Sequence, residues 1–148
     1  MTPEESLKEN FKSFGFPDEA SNWLIELWRF SQTWDDLFDG DSVSDGDLFH
    51  CLFLSQYGLH MHAFYQQNAK LLAPVLLNAI FKWRASDVLE KSGDVEELPK
   101  CYMWRAAFYD VVLQVMIICK GPEFARDNAH LCLKLYGEKL SDLEAEHG

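Results

Sequence analysis

Across Trp23-Leu24-Ile25-Glu26-Leu27-Trp28-Arg29-Phe30-Ser31-Gln32-Thr33-Trp34-Asp35-Asp36-Leu37-Phe38, the residues Trp23, Leu27, Phe30, Trp34, Leu37 and Phe38 recur at three- and four-residue spacing. That period is one face of an α-helix, and nothing here alternates with the period of two that a half-buried strand needs. The helix is expected from about Asp18 to Phe38, closed by Gly40. Upstream, Thr2-Pro3-Glu4-Glu5 reads as N-cap, first-turn proline and capping-box glutamate of a helix that runs to about Ser13 and stops at Gly15.

Downstream, Asp39 to Asp47 is a polar turn rich in Asp, Ser and Gly. A third helix is expected from about Asp45 to Tyr57, closed by Gly58, then a short helix or irregular link over His60 to Asn68. A fourth is expected from about Leu71 to Ser92, with Pro74 tolerable only near its start. A fifth, from about Lys100 to Cys119, is apolar nearly all round and reads as the central, most buried element. Gly121-Pro122 breaks it, and a sixth covers Pro122 to Tyr136. The expectation is all-α: a single-domain helical bundle of five to six helices over residues 1–148, with 138–148 a frayed acidic tail.

The chain has 148 residues, enough to bury a core without staples. Lys and Arg total 13 against 24 Asp and Glu, a formal charge of −11. That balance argues against direct nucleic-acid binding, which needs cationic patches, and against an anionic membrane surface. Met1-Thr2-Pro3-Glu4-Glu5 has no apolar stretch behind it, and the run Val111 to Cys119 is short for a bilayer span. Cys51, Cys101, Cys119 and Cys132 form no C-x-x-C and read as reduced core thiols. A cytoplasmic location is expected, the host cytoplasm if the protein is viral.

The candidate chemistry sits in carboxylates. At 100° per residue Asp35 shares a flank with Leu24, Trp28 and Ser31, and Asp39 lies one turn further, while Asp36 points elsewhere. Like charges at i, i+4, placed at a helix C-terminus, carry two local penalties, which suggests a compensating cation. On the fourth helix the stripe Leu72, Leu76, Ile80, Trp83 continues into Asp87 and Glu90. On the fifth, Asp110 is embedded between Tyr109 and Val111 and needs a partner, such as Arg105 or Arg84, a proton or a metal. Convergence of Asp35, Asp39, Asp87 and Glu90 on one Mg²⁺ or Mn²⁺, with Asp110 as catalytic ligand or orienter, would suit a phosphate- or diphosphate-bearing small molecule.

Asp35-Asp36-Leu37-Phe38-Asp39 resembles the D-D-x-x-D motif of isoprenoid synthases, all-helical enzymes that hold diphosphate through Mg²⁺. Asp87-x-x-Glu90 resembles half of the paired motifs of helical nucleotide pyrophosphatases. More broadly, the W-D-D-L-x-D-G-D stretch at Trp34 to Asp41, followed by Phe64-Tyr65 and Tyr109-Asp110, resembles small uncharacterised acidic helical proteins of phages and prophages. That resemblance implies a setting and no activity.

Other signals read as structure. Asp41 to Leu52 mimics an EF-hand loop, but Val43 and Leu52 stand where ligands belong, so Ser44 and Asp45 read as an N-cap. His60 and His62 read as surface or capping residues, His50 and His130 as core or boundary ones. Glu144-x-x-His147 has di-iron spacing in one copy only. Trp28 and Phe16 are candidates for an exposed partner face. Three readings follow: a metal-dependent enzyme on a phosphate compound; a non-catalytic acidic protein, of the phage inhibitor or accessory-factor kind, that binds a basic protein partner; or a subunit of a helical oligomer, such as a homodimer.

Overall fold

The structure, a computed structural model, describes residues 1–147. Helix is the only regular secondary structure among them: α1 (Pro3–Ser13), α2 (Asp18–Asp39), α3 (Asp45–Phe53), α4 (Leu59–Met61), α5 (Ala63–Lys91), α6 (Leu98–Arg105), α7 (Phe108–Lys120), α8 (Pro122–Lys134) and α9 (Leu140–His147). The all-α expectation holds, with more helices than the expected five to six. The helices divide into two compact units, Met1–Ala69 and Lys70–Gly148, and the division falls beside Asn68, where α5 leaves helical geometry (φ −126°, ψ 16°).

In the first unit the local rules place the ends. Thr2 caps α1, its hydroxyl accepting from the Glu5 N–H while the Glu5 carboxylate accepts from the Thr2 N–H. Gly40 closes α2 at φ 75°, a conformation a β-carbon would strain. Ser44 caps α3 by accepting from the Asp47 N–H at 3.1 Å. The core is built on Phe11, Trp23, Leu24, Leu54 and Phe64. Trp23 is completely buried, and its Nε1 donates to the Leu59 carbonyl at 3.0 Å. Phe16, an expected surface residue, is buried against Phe11 and Phe14, and Trp28 is half-buried, because α1 folds back onto α2.

The third helix is α-helical only to Phe53, then widens into a π turn over Leu54–Gly58. His62 is a local cap, its Nδ1 accepting from the Phe64 N–H. Charge ties the first three helices together. The Arg29 guanidinium holds Glu4 of α1 (Nη2 at 2.9 Å) and Glu26 (Nη1 at 3.2 Å), and Glu26 faces His50 of α3 at 3.0 Å.

Arg29 holds the Glu4 carboxyl down at about 2 against an ordinary 4.5, although burial pushes the other way. A depressed carboxylate adds stability that is complete above its unfolded value and is lost as pH falls through the folded one. Urea midpoints should therefore fall between about pH 4.5 and 2, and Glu4→Gln should flatten part of that limb while lowering the neutral plateau. A variant whose acid limb matches wild type would remove Glu4 from the account.

In the second unit Leu72, Cys101, Val112, Val115, Met116 and Leu143 are buried. The expected long fifth helix is broken: Ala106 turns out of the helical well (φ −82°, ψ 21°), giving α6 and α7. Two buried alanines, Ala106 and Ala107, sit at this corner. The two helices are also less enclosed than expected, since Met103 and Trp104 are about half exposed. Val95–Lys120 has the length and hydropathy of a bilayer span, but it contains this corner and four ion-paired side chains, Glu97, Lys100, Arg105 and Asp110. The tail forms α9, anchored by fully buried Leu143 and packed on α6, and not a frayed end. The four cysteines are free; burial raises the thiol pKa values, that of Cys132 to about 11, which keeps them protonated and unreactive.

Candidate functional site

The apolar stripe of α2 changes character along its length. Trp23 and Leu27 are buried, whereas Trp34, Leu37 and Phe38 on the same stripe are each about two-fifths exposed. The cause is the return path. His50 of α3 meets Glu26, and the Leu59 carbonyl meets Trp23, so the chain covers the first half of α2 and leaves its last turns bare. The rings still stack on one another, Phe30 to Trp34 at 5.8 Å and Trp34 to Phe38 at 5.3 Å between centroids. The helix that follows adds Leu48, Phe49 (69% exposed), Leu52 (57%) and Phe53, and the π turn adds Tyr57, whose ring lies 5.7 Å from that of Phe53.

The charge around these rings is one-sided. Residues 1–69 hold three Lys or Arg against twelve Asp or Glu, a net −9 of the chain's −11, and no Lys or Arg occurs between Arg29 and Lys70. Within that interval stand Asp35, Asp36, Asp39, Asp41, Asp45 and Asp47, all exposed except half-buried Asp35. This stretch thus holds bare aromatic and aliphatic side chains together with anionic ones, and no Lys or Arg in its sequence. Clustered exposed apolar side chains rimmed by polar ones mark contact sites.

The remaining candidate residues lie in the second unit. Asp87 is 8% exposed, and its Oδ2 receives Arg84 at 3.3 Å and Lys91 at 3.1 Å. Glu90 Oε1 receives Arg105 at 3.2 Å and His147 at 3.0 Å, and Arg105 also reaches Glu138 at 3.3 Å. Asp110 is less enclosed than expected, with its side chain 42% exposed, and it takes Lys82 rather than Arg105 or Arg84, at 2.7 Å. Lys82 also lies over the Trp104 ring, 5.7 Å from its centroid. Each of these three carboxylates therefore has a cationic neighbour from the protein itself. Asp35 and Asp39 stand in the first unit, one turn apart at the end of α2.

Ile80 also departs from its expected place. It is 61% exposed, and the inward row of α5 runs through Leu72, Ala79 and Trp83 to Ser86 and Asp87. His130 is exposed rather than core. Glu146, not Glu144, stands with His147: ligand atoms of Glu90, Glu146 and His147 lie within 4.8 Å of one another. Tyr102 and Tyr109 donate to the carbonyls of Glu138 and Leu135, pinning the link between α8 and α9, and burial lifts the Tyr109 hydroxyl to about 12.

Compared with known proteins, the chain matches no protein-family model, no curated protein and no solved structure. The functional argument therefore rests on the site. Sequence reasoning weighed Asp35 and Asp39 as ligands and passed over the aromatic side chains beside them. The interval without Lys or Arg between Arg29 and Lys70 is the sequence signal that marks this stretch.

Proposed function

We propose that this protein is a non-catalytic binding protein whose acidic, aromatic face on α2 and α3 takes a basic amphipathic partner, a helix with aliphatic residues on one side and Lys or Arg flanking them. One observation carries this reading: Trp34, Phe38, Phe49, Leu52 and Phe53 are exposed in an interval with six aspartates and no Lys or Arg. Removing the rings and leucines from water supplies affinity. The aspartates attract and orient a cationic partner and disfavour an acidic one, an effect on association rate and selectivity more than on raw affinity. Asp35 and Asp39 then act as part of this anionic rim.

The test is a tryptophan-fluorescence titration with a synthetic Leu/Lys amphipathic helical peptide, against a Leu/Glu peptide of the same pattern. Saturable binding of the Leu/Lys peptide, weakened by salt, is expected, with no binding of the Leu/Glu peptide. Equal response to both peptides, or to neither, would overturn the reading.

A second reading keeps divalent-metal chemistry, with Mg²⁺ or Mn²⁺ serving a phosphate-bearing small molecule. Its support is the grouping of Glu90, Glu146 and His147. Two carboxylates and an imidazole suit Mn²⁺ better than Mg²⁺, which prefers oxygen and retains water. Under it, Mn²⁺ at a hundred times its Kd should stabilise the protein by about 2.7 kcal/mol in a thermal melt, and His147→Ala should abolish the gain. A wild-type melt that Mn²⁺ does not move ends that reading.

A further inference from the structure

The π turn that ends the third helix carries a glycine whose backbone does not call for one. Gly58 sits at φ −60° and ψ −44°, ordinary right-handed helical angles at which alanine is the better helix former. What excludes a side chain is space. A β-carbon on Gly58 would lie 2.9 Å from Cε1 and 3.3 Å from Cδ1 of Phe53, and 3.1 Å from Cδ2 of Leu54. Carbon atoms in contact rest at about 3.5–4.0 Å, so the Phe53 ring already occupies that position. At Gly46 and Gly137, by contrast, a β-carbon would meet nothing within 4 Å.

The turn itself sets the neighbouring ring. The Leu59 N–H donates to the Leu54 carbonyl, five residues back. A turn closed in this way holds more residues than an α turn, so each residue advances the helix by less than 100°. Continued as an α-helix, the chain would carry Tyr57 about 80° round from Phe49. The wider turn draws it back toward the row of Phe49 and Phe53, and its ring stands 5.7 Å from that of Phe53. Leu54 is buried, whereas Phe53 and Tyr57 are exposed. Two rings are therefore held together in the open: Gly58 seats one and the widened turn brings the other. Single π turns are rare and recur at functional sites.

We propose that the π turn belongs to the binding face and that Gly58 is its positioning residue, seating Phe53 so that the Phe53–Tyr57 pair meets the aliphatic side of a basic amphipathic helix. This rests on the acidic aromatic face being the contact site.

Gly58→Ala should displace the ring while keeping the far-UV spectrum. In the free protein, NMR should show ring-to-ring NOEs between Phe53 and Tyr57 in wild type and lose them in Gly58→Ala. The Leu/Lys peptide should bind Gly58→Ala about tenfold more weakly than wild type, and Tyr57→Ala likewise. A general loosening of the fold would weaken binding with or without the ring, so a second background separates the two causes. In Phe53→Ala, adding Gly58→Ala should change the peptide Kd by less than about twofold, because the ring it collides with is gone. Wild type that ignores the peptide removes the contact face and this inference with it. Wild type that binds while Gly58→Ala binds equally overturns the inference alone, as do unchanged ring NOEs or a tenfold loss that persists in the Phe53→Ala background. Should Gly58→Ala lose its helical spectrum, Tyr57→Ala, exposed and clear of that collision, carries the test, and binding equal to wild type overturns the proposal.

Discussion

Trp23→Ala is expected to unfold the first unit at moderate urea, costing about 3–5 kcal/mol for the cavity alone. The indole is fully buried, and its ring lies 6.0 Å from Phe64 and 5.7 Å from Tyr65 between centroids. Its Nε1–H also satisfies the Leu59 carbonyl, and stranding that acceptor adds about 1–3 kcal/mol. Domains of this size hold roughly 5–15 kcal/mol in total, so the loss is a large fraction of what exists. Trp23→Phe separates the two terms, because it keeps most of the apolar volume and removes the donor. It should cost less than Trp23→Ala by several kcal/mol. Urea titrations followed by far-UV circular dichroism measure both. A Trp23→Ala midpoint within error of wild type would mean that this indole is not the centre of the core.

The second large effect is on binding, with little on stability. Phe49→Ser with Leu52→Ser should weaken the Leu/Lys peptide by at least about a hundredfold, which two exposed anchors worth roughly 1.4 kcal/mol or more each would give. Both side chains are more than half exposed, so the melt should move little. Neutralising Asp45 and Asp47 to Asn should behave differently, slowing association and flattening the salt dependence while leaving dissociation nearly unchanged. Surface-plasmon kinetics distinguish the two patterns. If the serine variant binds like wild type, the apolar residues of α3 are not the contact.

Much of the fold was legible because single residues carried strong local physics. The 3.6-residue stripe of α2, the Thr2–Glu5 box, the Gly40 stop and the Ser44 cap all appear where their chemistry places them. The corner at Ala106 was hidden because alanine favours a helix and nothing in the local sequence marks a break. The α9 helix was hidden because one leucine, Leu143, holds a charged segment whose composition reads as tail. Which half of an apolar stripe is covered depends on where α3 returns, a tertiary fact that periodicity does not encode, so Trp34 and Phe38 read as core. For Asp110 the sequence suggested Arg105 or Arg84 as partner, whereas Lys82 holds it. Lys91 beside Asp87, and Arg105 and His147 beside Glu90, became visible only in three dimensions.

The most direct test of the acidic aromatic face is amide hydrogen exchange on the full chain with and without the Leu/Lys peptide. The account predicts slowed exchange in the peptides spanning Phe30 to Tyr57 and no change across α7 and α8. Slowing confined to α6–α8, or none anywhere at saturating peptide, would contradict it.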